Sequence, residues 1–113
     1  IVGGVKTKAG KDRVIPISNK IMPLVLKRYN ANNKFFISMS YQVYKKHFTE
    51  LMQRLNMDHL PHDGRHTFAS LANSAGVNPT SIKMIMGHTS QDITERVYTH
   101  KTISELVSAV NAI

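Results

Sequence analysis

Between Pro61 and Gly87 the chain carries its own punctuation: Gly76, then Asn78-Pro79, then Gly87. Proline lacks the N–H and the φ freedom that a helix interior needs, so Pro61 stops any helix that precedes it. The stretch "HDGRHTFASLANSAG" then reads as a helix with Phe68, Leu71 and Ala72 facing inward and Gly76 as its C-terminal stop. In "NPTSIKMIMG", Asn78 is an N-cap, Pro79 takes the first helical position, Gly87 ends the helix, and Ile82 and Ile85 face inward. Two helices joined by so short a turn must pack as a hairpin, and that hairpin has the outline of a helix–turn–helix.

The flanks fill in a mainly α fold with a small antiparallel β-sheet, an α+β arrangement in one domain of 113 residues. Residues 1–17 read as a β-hairpin. Ile1 to Val5 and Arg13 to Ile17 are its strands, Gly10 serves its turn, and Pro16 marks a strand end. Ser18 or Asn19 is the expected cap of a helix that starts late because of Pro23 and turns Ile21, Leu24, Val25 and Tyr29 inward. "KFFIS" is too short to classify. From Tyr41 to Leu55, the spacing of Tyr41, Tyr44, Phe48, Leu51, Met52 and Leu55 predicts a helix with a core-facing stripe rather than a base-stacking platform. A further short helix is expected from Thr89 or Ser90. A last one carries Ile103, Leu106, Val107 and Val110 on one face.

Charge points to a partner. Residues 1–46 hold ten Lys/Arg and one acid, a net +9, whereas residues 47–113 hold five and six, a net −1. A polyanion-facing half beside a neutral half fits nucleic acid. Absence of cysteine excludes disulfides and thiolate metal sites and fits a reducing, intracellular compartment. No apolar run reaches the roughly 18 residues of a membrane span, and no signal-peptide pattern opens the chain.

Three chemistries compete for "HDGRHTFAS". His62 and His66 have the i, i+4 spacing of helical zinc ligands, but Arg65 between them repels a cation. The seven carboxylates are scattered, where a two-metal nuclease needs several converging. A non-enzymatic helix–turn–helix DNA binder is the alternative reading, although Lys83 and small polar residues offer little to base edges. Metal-free phosphoryl transfer needs fixed cations, a nucleophile and an acid. Arg65, His62, His88, Lys8 and Tyr98 supply each type.

"HDGRHTFAS", "GVNPTSIKMIMGHTS" and "TERVYTH" together resemble the tyrosine recombinases of the phage integrase family, most of all those of bacterial prophages and conjugative transposons. The family's ordered signature, His-x-x-Arg, Gly-His and Tyr, corresponds to His62/Arg65, Gly87/His88 and Tyr98. "GGVKTKAGKDRVIPI" is similar to the hairpin with the family's catalytic lysine, Lys8, with Lys6 as the fallback. The resemblance implies that Tyr98 attacks the scissile phosphate to give a 3′-phosphotyrosine and a free 5′-hydroxyl. Lys8 would protonate the leaving oxygen, Arg65 and His88 would hold the phosphorane, and His62 would take the tyrosine proton or bond the phosphate. It implies double-stranded DNA as substrate, and no metal, ATP or other cofactor. Lys6, Lys11, Arg13, Lys45 and Lys46 are the expected DNA-backbone contacts.

It further implies that residues 1–113 are the C-terminal portion of a catalytic domain: hairpin 1–17, helical part 18–100 and tail 101–113. In such a protein, Ile103–Val110 would dock on a neighbouring protomer of a DNA-bound tetramer, in the cytoplasm. Two departures stand out. The family's first arginine lies upstream of the hairpin and no Arg precedes Lys6, so the chain alone is expected to be poorly active. Gly64 stands where the family has an apolar residue, which is expected to loosen the helix start beneath Arg65.

Overall fold

The computed structural model describes residues 1–4, 11–88 and 101–113. The tip of the hairpin and the expected helix after Gly87 therefore lie outside the described residues, as do Lys6, Lys8 and Tyr98.

A two-stranded antiparallel sheet opens the fold. Strand β1 (Val2–Gly3) pairs with β2 (Arg13–Val14) in the register Val2 to Val14 and Gly3 to Arg13. These strands are shorter than the β-branched runs predicted. Beyond them, Ile1 and Ile15 still exchange bonds, with the Ile15 N–H donating to the Ile1 carbonyl at 2.7 Å. The helices follow in order: α1 (Met22–Arg28), α2 (Tyr41–Arg54), α3 (Asp63–Ser74), α4 (Pro79–Met86) and α5 (Ile103–Asn111). This is the mainly helical α+β architecture expected.

Helix α4 is the hub, packing on α3, α5 and β2. Its start is the one read from sequence: the Asn78 side chain accepts from the Thr80 N–H at 2.9 Å, and Pro79 sits in the first turn. The turn before it is a Schellman motif, with the Gly76 N–H on the Asn73 carbonyl and the Val77 N–H on the Ala72 carbonyl. Gly76 takes the left-handed φ of 69° that this motif needs. The core is small: Ile85, Leu106, Ala109 and Val110 form one cluster, with Phe68 and Val77 packed against it. Ala72 is also fully buried.

Helix α5 earns its place through a capping box. The Thr102 side chain accepts from the Glu105 N–H, and the Glu105 carboxylate accepts from the Thr102 N–H. Its apolar face docks in cis, on α4. Leu106 and Val110 are buried as expected and Val107 is half-buried, but Ile103 is 62% exposed and Ala109 is buried in the cluster. A clasp joins the far end of α5 to the start of α1: Asn111 Oδ1 accepts from the Asn19 N–H at 2.7 Å and from the Ser18 hydroxyl.

Four sequence expectations are corrected. Ser18 and Asn19 do not cap α1; Ile21 precedes it with no side-chain cap, because Ser18 bonds to Asn111 and Lys20 instead. Ile21, Leu24 and Tyr29 are exposed, and Val25 alone of that set is half-buried. The α2 stripe is not core: Tyr41 is 63% exposed, Tyr44, Leu51 and Leu55 are exposed too, and α2 has no buried residue. Its aromatic residues touch one another instead, with ring centroids 6.4 Å apart for Tyr41–Tyr44 and 6.1 Å for Tyr44–Phe48. Leu71 likewise faces out, because α3 meets α4 along the Phe68–Ala72 side. Periodicity named the right helices here, but no apolar layer covers these faces among the described residues.

Candidate active site

The four last carbonyls of a helix have no partner within it, and the helix dipole makes that end negative. At the end of α4 each one is answered. Gly87, at a left-handed φ of 69°, donates its N–H to the Met84 carbonyl at 3.1 Å, and the His88 N–H donates to the Lys83 carbonyl at 2.9 Å. This second Schellman motif settles the backbone of His88. The remaining two carbonyls receive guanidiniums. Arg13 Nε donates to the Ile85 carbonyl at 3.0 Å, and Arg65 Nη2 donates to the Met86 carbonyl.

Two cations from distant parts of the chain are thereby held together. Arg13 comes from β2 and Arg65 from the first turn of α3; both are half-buried. Burial, and then the nearby charge of Arg65, lower the pKa of Arg13 from its ordinary value. A guanidinium titrates so far above neutrality that Arg13 remains charged all the same. Like charges brought this close favour an anion beside them. Arg65 bonds to Met86, two residues before His88, so its planar fork lies at the root of the Gly-His pair.

His62 directly precedes α3, and its carbonyl accepts from the Arg65 N–H at 3.0 Å. Its ring meets that of His66 edge-on, with centroids 5.0 Å apart, so the i, i+4 stacking read from sequence is present. Both rings are exposed. Asp63 is turned away to the preceding loop, where its carboxylate accepts from the Leu60 N–H at 2.9 Å and lies 3.3 Å from His59 Nδ1. That backbone bond, and then the His59 contact, hold the Asp63 carboxyl below its ordinary range. The helix starts at Asp63 in spite of Gly64, and a Cβ added at Gly64 would meet open space.

A cavity of about 300 Å³ opens beside this end of α4, between Arg13, Gly87, His88, Lys101, Ile103 and Leu106. Lys101 is paired there with Glu105 at 3.0 Å. The structure thus gathers Arg65, His88 and Arg13 at one helix end, with His62 one turn of α3 away. The proposed backbone contacts divide. Lys11 is exposed next to β2, Lys45 and Lys46 are exposed on α2, and Lys46 stands 4.0 Å from Glu50. Arg13, expected as a DNA-backbone contact, also reaches back into the fold. Its partner lies 72 residues away, a separation that local sequence patterns do not report.

Comparison with known proteins identifies the family. The family model described as phage integrase family matches residues 2–105. Tyrosine recombinase XerA of Saccharolobus solfataricus is 30% identical over 105 residues, 88% of this chain and 35% of that protein. The integrase of Haemophilus phage HP1 is 33% identical over 104 residues, 92% of this chain and 29% of that protein. The transposase of transposon Tn916 from Enterococcus faecalis is 30% identical over 83 residues, 70% of this chain and 20% of that protein. The chain spans about a third of the length of the first two of these relatives and a fifth of the third. No solved structure matches it. No helix among the described residues is long and apolar enough to cross a membrane. On the family match and the ordered motifs together, this chain belongs to the phage integrase family.

Proposed function

We propose that residues 1–113 are the C-terminal portion of the catalytic domain of a tyrosine-type site-specific recombinase, which cuts and rejoins double-stranded DNA to integrate or excise a mobile element. The observation that supports this most directly is the pair of guanidiniums, Arg65 and Arg13, held on the carbonyl end of α4 next to His88. It is a pre-formed cationic seat in a chain of net charge +8.

In the proposed reaction the Tyr98 oxygen attacks the scissile phosphorus. The bond to the 5′-oxygen breaks, leaving a 3′-phosphotyrosine. The phenolic proton passes to His62 and the departing 5′-oxygen takes a proton from Lys8. Arg65 and His88 hold the non-bridging oxygens, where fixed donors act on charge that grows in the transition state. The planar fork of Arg65 suits two such oxygens. Rejoining is the same sequence in reverse with a new 5′-hydroxyl. The phosphotyrosine conserves the bond energy, so neither metal nor ATP enters. Lys6, Lys11, Lys45 and Lys46 neutralise neighbouring backbone phosphates. The protein works in the cytoplasm as a tetramer on DNA, and Ile103 at the start of α5 is the apolar residue of Ile103–Val110 that stays exposed for a neighbour.

The α3–α4 hairpin also favours a second reading, a helix–turn–helix that binds DNA without cutting it. One experiment separates the two. The protein at its full natural length is incubated with a nicked duplex of its recombination site, and denaturing gels are read for covalent protein–DNA. The recombinase gives a covalent band that disappears with Tyr98→Phe. A binder gives no band and tolerates the substitution.

A further inference from the structure

Arg65 stands between His62 and His66 in sequence, where its charge argues against a bound cation. In the fold its guanidinium reaches across to α4 and donates to the Met86 carbonyl, so the negative end of that helix answers part of the charge. The two imidazoles stay on α3. His62 holds helical backbone angles, φ −74° and ψ −21°, so it continues the spiral of α3 and stands one turn from His66. The ring centroids are 5.0 Å apart. With Zn–N bonds of about 2.1 Å, each centroid would stand roughly 3.2 Å from an ion, and two at a tetrahedral angle would be roughly 5.2 Å apart. Both residues are exposed, so the rings can turn their nitrogens to one point without displacing packed atoms.

We propose that His62 and His66 form a two-histidine site for a divalent transition-metal ion such as Zn²⁺, and that filling it takes His62 out of the cleavage reaction. Imidazole nitrogen suits zinc, copper and nickel, whereas magnesium prefers oxygen. Asp63 is occupied in the preceding loop, where it accepts from the Leu60 N–H and lies 3.3 Å from His59 Nδ1. Among the described residues no group of three or more His, Cys, Asp or Glu could hold a metal. The pair therefore supplies two ligands and water the others. So open a site makes the ion exchangeable, an inhibitor rather than a cofactor. A ring nitrogen that gives its lone pair to a metal cannot take a proton, and the other nitrogen of a neutral imidazole already carries one. With the ion bound, the Tyr98 phenol has lost its proton acceptor. This second half of the proposal rests on the reading of His62 as that acceptor; the metal site itself does not.

The test keeps the two apart. Zn²⁺ is titrated calorimetrically into the full-length protein and into its His62→Gln and His66→Gln variants, which keep polar side chains of similar reach. Each substitution should remove the same single equivalent of zinc or weaken it about tenfold or more, since even changes behind the ligands cost on the order of 10- to 100-fold at metal sites. Zinc held elsewhere in the protein persists in all three. An isotherm unchanged by either substitution, or changed by one alone, overturns the site. Covalent-complex formation on the nicked duplex is then timed with and without Zn²⁺. The unsubstituted protein should slow about a hundredfold when the site is filled, the scale of a lost general base. His66→Gln should keep its metal-free rate and lose the zinc effect, and Mg²⁺ should slow neither protein. Slowing that survives His66→Gln overturns inhibition through this pair. If both substitutions remove the zinc equivalent and the filled protein still cleaves at full rate, the inhibition and the role of His62 fall together while the metal site stands. A protein that forms no covalent complex under any condition refutes the recombinase reading, and calorimetry alone then decides the site.

Discussion

Leu106 and Ile103 lie on one face by sequence spacing, yet they should respond to truncation very differently. Replacing either by alanine removes three carbons. At about 0.8 kcal/mol per buried carbon, full burial makes that change worth about 2.4 kcal/mol. Leu106 is 5% exposed and sits among Ile85, Ala109 and Val110, so it forfeits nearly the whole amount. A residual void adds to the cost, although the cavity beside Leu106 gives the space an outlet and limits that addition; Leu106→Ala is expected to cost about 2.5–3.5 kcal/mol. Ile103 is 62% exposed, which leaves just over a third of its transfer term, about 0.9 kcal/mol at most. Alanine's better helix propensity offsets part of that. Urea unfolding followed by circular dichroism, with equal slopes for both variants, reads the difference directly. If the two variants fall within about 0.5 kcal/mol of each other, the ordinary range of surface substitutions, then α5 does not dock on α4 through Leu106.

Other consequences are as concrete. Asn78→Ala removes the cap of α4 and should lower unfolding free energy by about 1 kcal/mol, with activity otherwise retained. Gly87→Ala forces a side chain into the left-handed region at a cost of about 1–2 kcal/mol and displaces the His88 N–H, so both the melting temperature and the rate of covalent-complex formation should drop. Arg65→Lys keeps the charge but loses the fork, and single-turnover cleavage should slow about 10²–10³-fold. The Glu105 carboxyl is pulled from its ordinary 4.5 to about 2, chiefly by the Thr102 N–H and then by Lys101. A depressed carboxyl stabilises the fold when ionised, so its contribution is complete above pH 4.5 and fades as pH falls toward 2. The gap in melting temperature between the chain and Glu105→Gln should narrow over that window, and a gap that stays constant refutes the capping box.

What sequence could and could not convey follows the range of each interaction. The limits of α4 were legible to the residue, because Asn78, Pro79 and Gly87 act through neighbours two to five positions away. The order of His62, Arg65 and His88 suggests a set from sequence alone, and the structure adds how Arg65 reaches the carbonyl before the Gly-His pair. The stripe on α2 announced a helix but not its cover, since periodicity says which side is apolar and nothing about what lies against it. Ser18 had the chemistry of a cap, yet a partner in α5 competes for its hydroxyl. Arg13 reads from sequence as a DNA-backbone contact, and only the three-dimensional fold supplies the Ile85 carbonyl that its Nε meets.

The clasp between Asn111 and the Ser18–Asn19 pair has a dynamic meaning as well. It joins positions 92 and 93 residues apart, so the Asn19 amide cannot be released by fraying of α1 alone. Its opening is the undocking of α5. Amide exchange at Asn19 should therefore follow the same opening free energy as the central amides of α5, making two remote stretches of chain one cooperative unit with α4 between them.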